Sequence, residues 1–318
     1  MTDVQSAPDR ALTEEQQQKT RQWSLVVYSA IVGVILSIVW SPRLVDTVIA
    51  GNIADPVVGG TATQVAITGS FAAAVFAFIT GVGGMFTACN IAVFGALAPM
   101  SAQQTEGLRT RIVAILKPVG WLALGAVVVA GVYGAIGVLI GDNSPQLSNA
   151  RIGDPNTGLR VRLLQSAIVF TVIGAIMVWY ALAKVKLVRN PLAGLFQRRP
   201  WTEVTFLGAL VGAFLIGRPF GMFRHMYEYA ASTHNPLIGF MTFALQSLGN
   251  IAGVAILLIL VTLLSRGRFQ RWIAARSDRA ARFTAAAFVI FGTFFIFYWG
   301  VRLGNRAGWY WWPTMPYS

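Results

Sequence analysis

Gly208-Ala209-Leu210-Val211-Gly212-Ala213-Phe214-Leu215-Ile216-Gly217-Arg218-Pro219-Phe220-Gly221 is a glycine-rich apolar run that ends in a cation and a proline. Proline removes a backbone donor and glycine holds a helix poorly, so a helix entering this stretch is interrupted about halfway along its span. A second apolar run, residues 66–100, carries a comparable weak point at Gly81, Gly83 and Gly84, just ahead of Cys89, the only cysteine in the chain. Interrupted helices in matching positions of two halves point to a central binding site in a membrane protein.

The composition agrees with a membrane setting. Of 318 residues 55% are hydrophobic and only 12% charged, more apolar surface than a soluble domain can hide. Lipid offers backbone groups no partner, so each crossing needs roughly 20 apolar residues in helical form. Seven stretches qualify, 23–41, 66–98, 112–141, 163–188, 204–231, 236–265 and 281–303, and the expected fold is an all-α polytopic membrane protein. The polar segment 1–22 reads as a disordered cytoplasmic tail or a surface helix, and 23–41 as an extra, retained anchor helix. The remaining six spans divide into 66–188 and 204–303. Three spans per half make the halves enter from opposite faces, an inverted repeat, and both contain Gly-Met-Phe, at Gly84 and at Gly221.

Basic residues set the expected orientation. With the N-terminus cytoplasmic, sixteen Lys and Arg fall in inner segments and six in outer ones, so the positive-inside rule selects N-in and C-out. The net charge of +13 is then a feature of topology, and a nucleic-acid role is not expected. Outer loops at about 42–65 and 142–162 are rich in Gly, Asn, Asp and Pro. The tail 304–318 carries Trp309, Trp311 and Trp312, which suit either an aromatic belt at the outer interface or a docking element for an outer-face partner.

The six-helix core resembles the transmembrane thiol-electron carriers of the CcdA type and the membrane domain of DsbD. The likeness rests on the 208–221 run and on Asn235-Pro236-Leu237-Ile238-Gly239, which reopens the next helix after a tight turn. The resemblance implies a bacterial inner-membrane protein of cytochrome c assembly, working with membrane or outer-face redox proteins. It also implies one cysteine per repeat. Here Cys89 follows Ala88 rather than proline, and Phe220 follows Pro219 where the second cysteine would stand. A dithiol relay needs an attacking and a resolving sulfur, so the chain alone is not expected to run one. It is read as acting with, or as a subunit of, a membrane redox complex, or alternatively as a transporter of a small anion or soft metal through the two broken helices.

Individual residues carry two readings each. Cys89 either packs as a small hydrophobe or forms a mixed disulfide or soft-metal contact. Arg218, with Pro219 and Gly221, is the candidate substrate or anion site, because a cation at that depth requires an acceptor or an anion. Met222, His225 and Met226 offer a copper or haem ligand set, against the commoner structural use of a helix-end histidine. Arg224 and Glu228, four apart, are expected to pair, and Lys117 to snorkel. No cofactor is required by the sequence, and no residue pattern suggests independent catalysis.

Overall fold

The computed structural model describes residues 7–41, 48–84, 94, 108–154, 158–218, 221–265 and 268–314. They are almost wholly helical. Six helical segments are long and apolar enough to cross a membrane: Gln16–Val39, Leu116–Asn143, Val161–Lys184, Pro200–Gly217, Pro236–Leu264 and Asp278–Arg306. Helix α1 (Ala7–Val39) is longer than expected, since the polar segment from Ala7 continues the first span as helix. Its Gln, Glu and Lys residues are good helix formers, which a reading of polarity alone overlooks.

Helix α2 (Ala50–Val58) lies inside the loop expected over 42–65. Ala50, Gly51 and Ala54 form a small buried stripe against α3 (Gly69–Gly83), and Gly59, at φ 75°, closes α2 with its N–H on the Asp55 carbonyl. Helix α3 covers 15 residues of the 66–98 span expected, of which 85–93 and 95–98 lie outside the described residues. Helix α4 (Leu108–Ile140) and α5 (Val161–Lys184) follow, joined by a turn and a two-residue antiparallel pairing of Arg151-Ile152 with Leu159-Arg160. After the short α6 (Ala193–Arg198), the span expected over 204–231 appears in two pieces. These are α7 (Pro200–Ala213), tightening to a 3-10 turn at Phe214–Gly217, and α8 (Gly221–Ser232). Arg218 between them is extended, at φ −81° and ψ 109°. Helix α9 (Pro236–Leu264) starts with the Asn235 side chain accepting the Leu237 N–H. The short α10 (Arg268–Ala274), then α11 (Ser277–Phe295), a π turn (Ile296–Val301) and α12 (Leu303–Arg306) complete the described chain.

Small residues set the helix crossings. Helix α3 packs on α9, α7 on α4, α4 on α9, and α5 on α11, with α1 laid against α11. A Cβ on Gly81 would strike the Gln246 carbonyl, and one on Gly249 the Phe78 carbonyl. The α4–α7 crossing repeats the pattern, Gly125 against the Thr205 carbonyl and Gly208 against the Leu122 carbonyl. Lipid tails are as apolar as leucine, so close backbone approach through glycine is a main source of helix association in a bilayer. Elsewhere the spans face outward with apolar residues. Only 22% of the α1 span is buried against 50% of the α9 span, and Val27, Ile31, Leu124, Val128, Val132, Leu260 and Leu263 are exposed. Such a continuous apolar exterior suits hydrocarbon rather than water.

Arg302 fastens α1 and the tail to the last span. Its side chain is 6% exposed and its Nη1 donates to the Ser37 carbonyl at 2.8 Å. Nε and Nη2 both donate to the Thr314 carbonyl, the first at 2.7 Å, and the guanidinium stacks on Tyr298 at 4.7 Å. Asn305 Nδ2 holds the carbonyls of Tyr310 and Trp311 at 3.1 and 3.0 Å, so the tail presents Trp309, Trp311 and Trp312 outward. Arg302→Gln is expected to destabilise the protein by about 3 kcal/mol, as charged hydrogen bonds to buried carbonyls are lost. Faster chymotrypsin cleavage after Trp309 to Trp311 would report it; an unchanged rate would show the tail to be held by something else.

Candidate functional site

The interruption of the α7–α8 span creates the site. A helix break leaves carbonyls without their intrahelical partners, and two glutamines from elsewhere in the chain supply the donors. Gln165 of α5 donates through Nε2 to the Ile216 carbonyl at 2.7 Å, and Gln146, from the turn after α4, donates through Nε2 to the Arg218 carbonyl. These bonds fix the extended backbone at Arg218. The guanidinium is 7% exposed and projects toward the end of α3.

Gly84, which ends α3, makes the room. A Cβ there would collide with Arg218 Nη2 and lie 2.8 Å from Asn250 Oδ1, so the guanidinium and the amide share the space left by the glycine. The carbonyl end of α3 is the negative pole of its dipole and favours a cation at this position. Asn250 stands at the middle of α9, which puts the group roughly at mid-span. The two weak points read from the sequence, Gly84 and Arg218, therefore meet.

The α9 turn facing this point is polar and buried. Gln246, Ser247 and Asn250 lie along it, and the Asn250 N–H and the Gln246 carbonyl abut Gly81. Gln246 is 0% exposed, and among the described residues neither its Oε1 nor its Nε2 has a hydrogen-bond partner. Ser247 Oγ, Gln165 Oε1 and Gln146 Oε1 are likewise buried and unbonded. Buried polar atoms are nearly always paired, and each one left over costs about 1–3 kcal/mol. Of these five atoms Gln246 Nε2 and the Ser247 hydroxyl can donate a hydrogen bond, and the three amide oxygens only accept.

Aromatic rings wall the same region. Tyr133, Phe223, Tyr227 and Phe243 meet edge to face with centroids 5.2–6.2 Å apart. Tyr227 Oη and Ser144 Oγ are 2.7 Å apart, and Gln165 Nε2 reaches Tyr133 Oη at 3.4 Å.

The other residues singled out from the sequence lie apart from Arg218 or outside the described residues. Cys89 and Pro219 are among the latter. Gly221 opens α8 beside Thr63, with 3.4 Å of room for a Cβ. His225 Nε2 is 2.7 Å from the Val65 carbonyl and its ring meets Phe76 edge to face. Met222 and Met226 are buried in the apolar cluster with Phe223 and Phe243. Among the described residues no three His, Cys, Asp or Glu side chains are grouped to hold a metal ion. Arg224 pairs with Glu228 at 2.7 Å, and Lys117 is exposed near the start of α4.

Gln146, Gln165, Gln246, Ser247 and Asn250 were not anticipated. Their signal was present, since Gln246 and Asn250 are amides four residues apart inside an otherwise apolar span. No protein-family model matches the chain, and neither the curated proteins nor the solved structures contain a match to it.

Proposed function

We propose that the chain is a carrier for a small anion, built from two inverted three-helix repeats with one extra N-terminal helix, in a cell membrane with its N-terminus cytoplasmic. Arg218 at the junction of the two interrupted helices binds the anion, and Gln246 Nε2 and the Ser247 hydroxyl supply neutral donors. The observation that carries this reading is a buried guanidinium beside an α9 turn on which two buried donors, Gln246 Nε2 and Ser247 Oγ, have no hydrogen-bond partner among the described residues.

The repeat is supported by the crossings. The lead helix of each half meets the second helix of the other at facing glycines, Gly81 on Gly249 and Gly208 on Gly125. The third helices meet each other: a Cβ on Gly174 would lie 2.6 Å from the Gly292 carbonyl and 3.0 Å from Ile296, and one on Gly292 2.7 Å from the Gly174 carbonyl and 2.8 Å from Val178. Exchanging the halves maps this set of crossings onto itself. Gly208 stands 127 residues after Gly81, whereas the Gly-Met-Phe pairing needs 137 and the Cys89–Phe220 pairing 131. Carried along the sequence, the 127 offset pairs Cys89 with Ile216, which supplies no second sulfur. A thiol relay within one chain is the weaker reading for that reason.

Subunit of a membrane redox complex remains the second reading. It is favoured by the tail, which Arg302 and Asn305 hold folded while Trp311 stays 85% exposed. Uptake of small inorganic and carboxylate anions into proteoliposomes separates the two. Arg218→Gln is expected to lower the rate at least about tenfold, the equivalent of one charged hydrogen bond, with Cys89→Ser unchanged. Transport by Arg218→Gln at the wild-type rate would exclude the carrier, and dependence on Cys89 would return the thiol chemistry.

A further inference from the structure

A second polar recess lies far along the chain from Arg218, where the extra first helix joins the bundle. It has a volume of about 260 Å³ and is lined by Gln18 and Gln22 of α1, Lys184 and Lys186 at the end of α5, and Asp278 and Arg282 in the first turns of α11. Lys184 pairs with Glu203, from the start of α7, and Arg282 with Asp278 at 3.0 Å. Three cations against two carboxylates, counting the Glu203 that Lys184 holds, leave the recess with a net positive charge. Lys186 is the odd member. Its backbone is left-handed, φ 60°, where a glycine would sit without strain. The turn it makes ends α5, the Lys186 N–H on the Ala183 carbonyl at 3.1 Å and the Leu187 N–H on the Leu182 carbonyl at 2.9 Å. The strained position carries a long, exposed cation instead of glycine, and that cation lines the recess.

We propose that this recess seats the phosphate of an anionic phospholipid, with Lys186 as its chief contact, and that the lipid ties α1 to α5 and α11. Lipid is the source for two reasons. The recess lies at the ends of three membrane-crossing segments, Gln16–Val39, Val161–Lys184 and Asp278–Arg306, at the level where headgroups lie. And α1 is the least buried of the six crossing segments, so lipid is its main neighbour along most of its length. The phosphate is held by Lys186 and by the outward N–H groups of Arg282, while Gln18 and Gln22 donate neutral hydrogen bonds from α1.

The test uses the full-length protein in a neutral phosphatidylcholine-compatible detergent, with melting followed as phosphatidylglycerol is added. Wild-type protein is expected to gain thermal stability in a saturable way. Lys186→Gly is expected to melt no lower than wild type without lipid, because glycine accepts the left-handed turn, yet to bind phosphatidylglycerol about fivefold more weakly, the contribution of one interfacial lysine. Lys186→Gln keeps the strained turn and should lose the same affinity, which separates charge from backbone. Glycerol 3-phosphate at matched concentration is expected to give no shift. An undiminished phosphatidylglycerol response in both variants, no response in the wild type, or an equal response to glycerol 3-phosphate would overturn the proposal.

Discussion

Gly249→Ile is expected to yield no folded protein from the membrane. The Cβ of any residue at 249 would meet the backbone carbonyl of Phe78, and the neighbouring contact is the Cα of Gly81 at 3.1 Å, so no flexible side chain can move aside. Overpacking that side chains can relieve costs about 1–3 kcal/mol. Here α3 and α9 must separate as bodies, which also withdraws Gly84 and Asn250 from Arg218. The loss should exceed about 3 kcal/mol, a large share of the roughly 5–15 kcal/mol that holds a typical domain folded. Gly208→Ile should fail in the same way, since its Cβ meets the Leu122 carbonyl at the matching crossing. Gly120 and Gly194 are the controls: nothing lies within 4 Å of a Cβ at either. Gly120→Ala, within α4, should raise stability by about 0.5–1 kcal/mol through helix propensity. Monodisperse yield on size exclusion and the melting temperature read all three variants, and a well-folded Gly249→Ile protein would disprove the tight α3–α9 crossing.

What the sequence disclosed follows from what a bilayer forces. Apolar length and the absence of alternative backbone partners make the long helices legible, and proline beside a cation at 218–219 made the break visible. The extent of α1 and the presence of α2 were hidden because polarity and small residues each have two readings. Gln16, Gln17 and Gln18 look like a tail until they continue a helix, and Ala50, Gly51 and Ala54 look like a loop until α3 covers them. Arg218 was legible as a candidate because charge is rare inside an apolar run. Its partners were not, because Gln146 and Gln165 lie 72 and 53 residues away and sequence spacing says nothing about which turn folds back. Glutamine in a span also attracts less notice than a charge, although an unbonded amide there still costs about 1–3 kcal/mol to keep. The glycine crossings were half legible: each glycine is plain, but facing pairs depend on register between helices distant in sequence.

That expense separates a binding site from a structural one at Gln246. Leucine has nearly the volume of glutamine and no polar atoms, so Gln246→Leu removes two unbonded groups from a fully buried position without opening a cavity. Each unsatisfied atom costs about 1–3 kcal/mol in a protein interior, and double-mutant cycles in a membrane protein place side-chain hydrogen bonds nearer 0.6 kcal/mol. Even at the lower value the variant should be more stable, by about 1 kcal/mol, with a melting temperature a few degrees higher. An amide retained at that disadvantage has another use, and the same substitution should cut anion uptake at least about tenfold by removing a donor to the bound solute. The two readouts are expected to move in opposite directions, which is the signature of a polar group kept for function at the expense of the fold. If Gln246→Leu is instead less stable, the amide has a structural partner and the central site loses its main support. If it is more stable and transports normally, the buried amides around Arg218 do not touch the solute, and the anion must pass elsewhere.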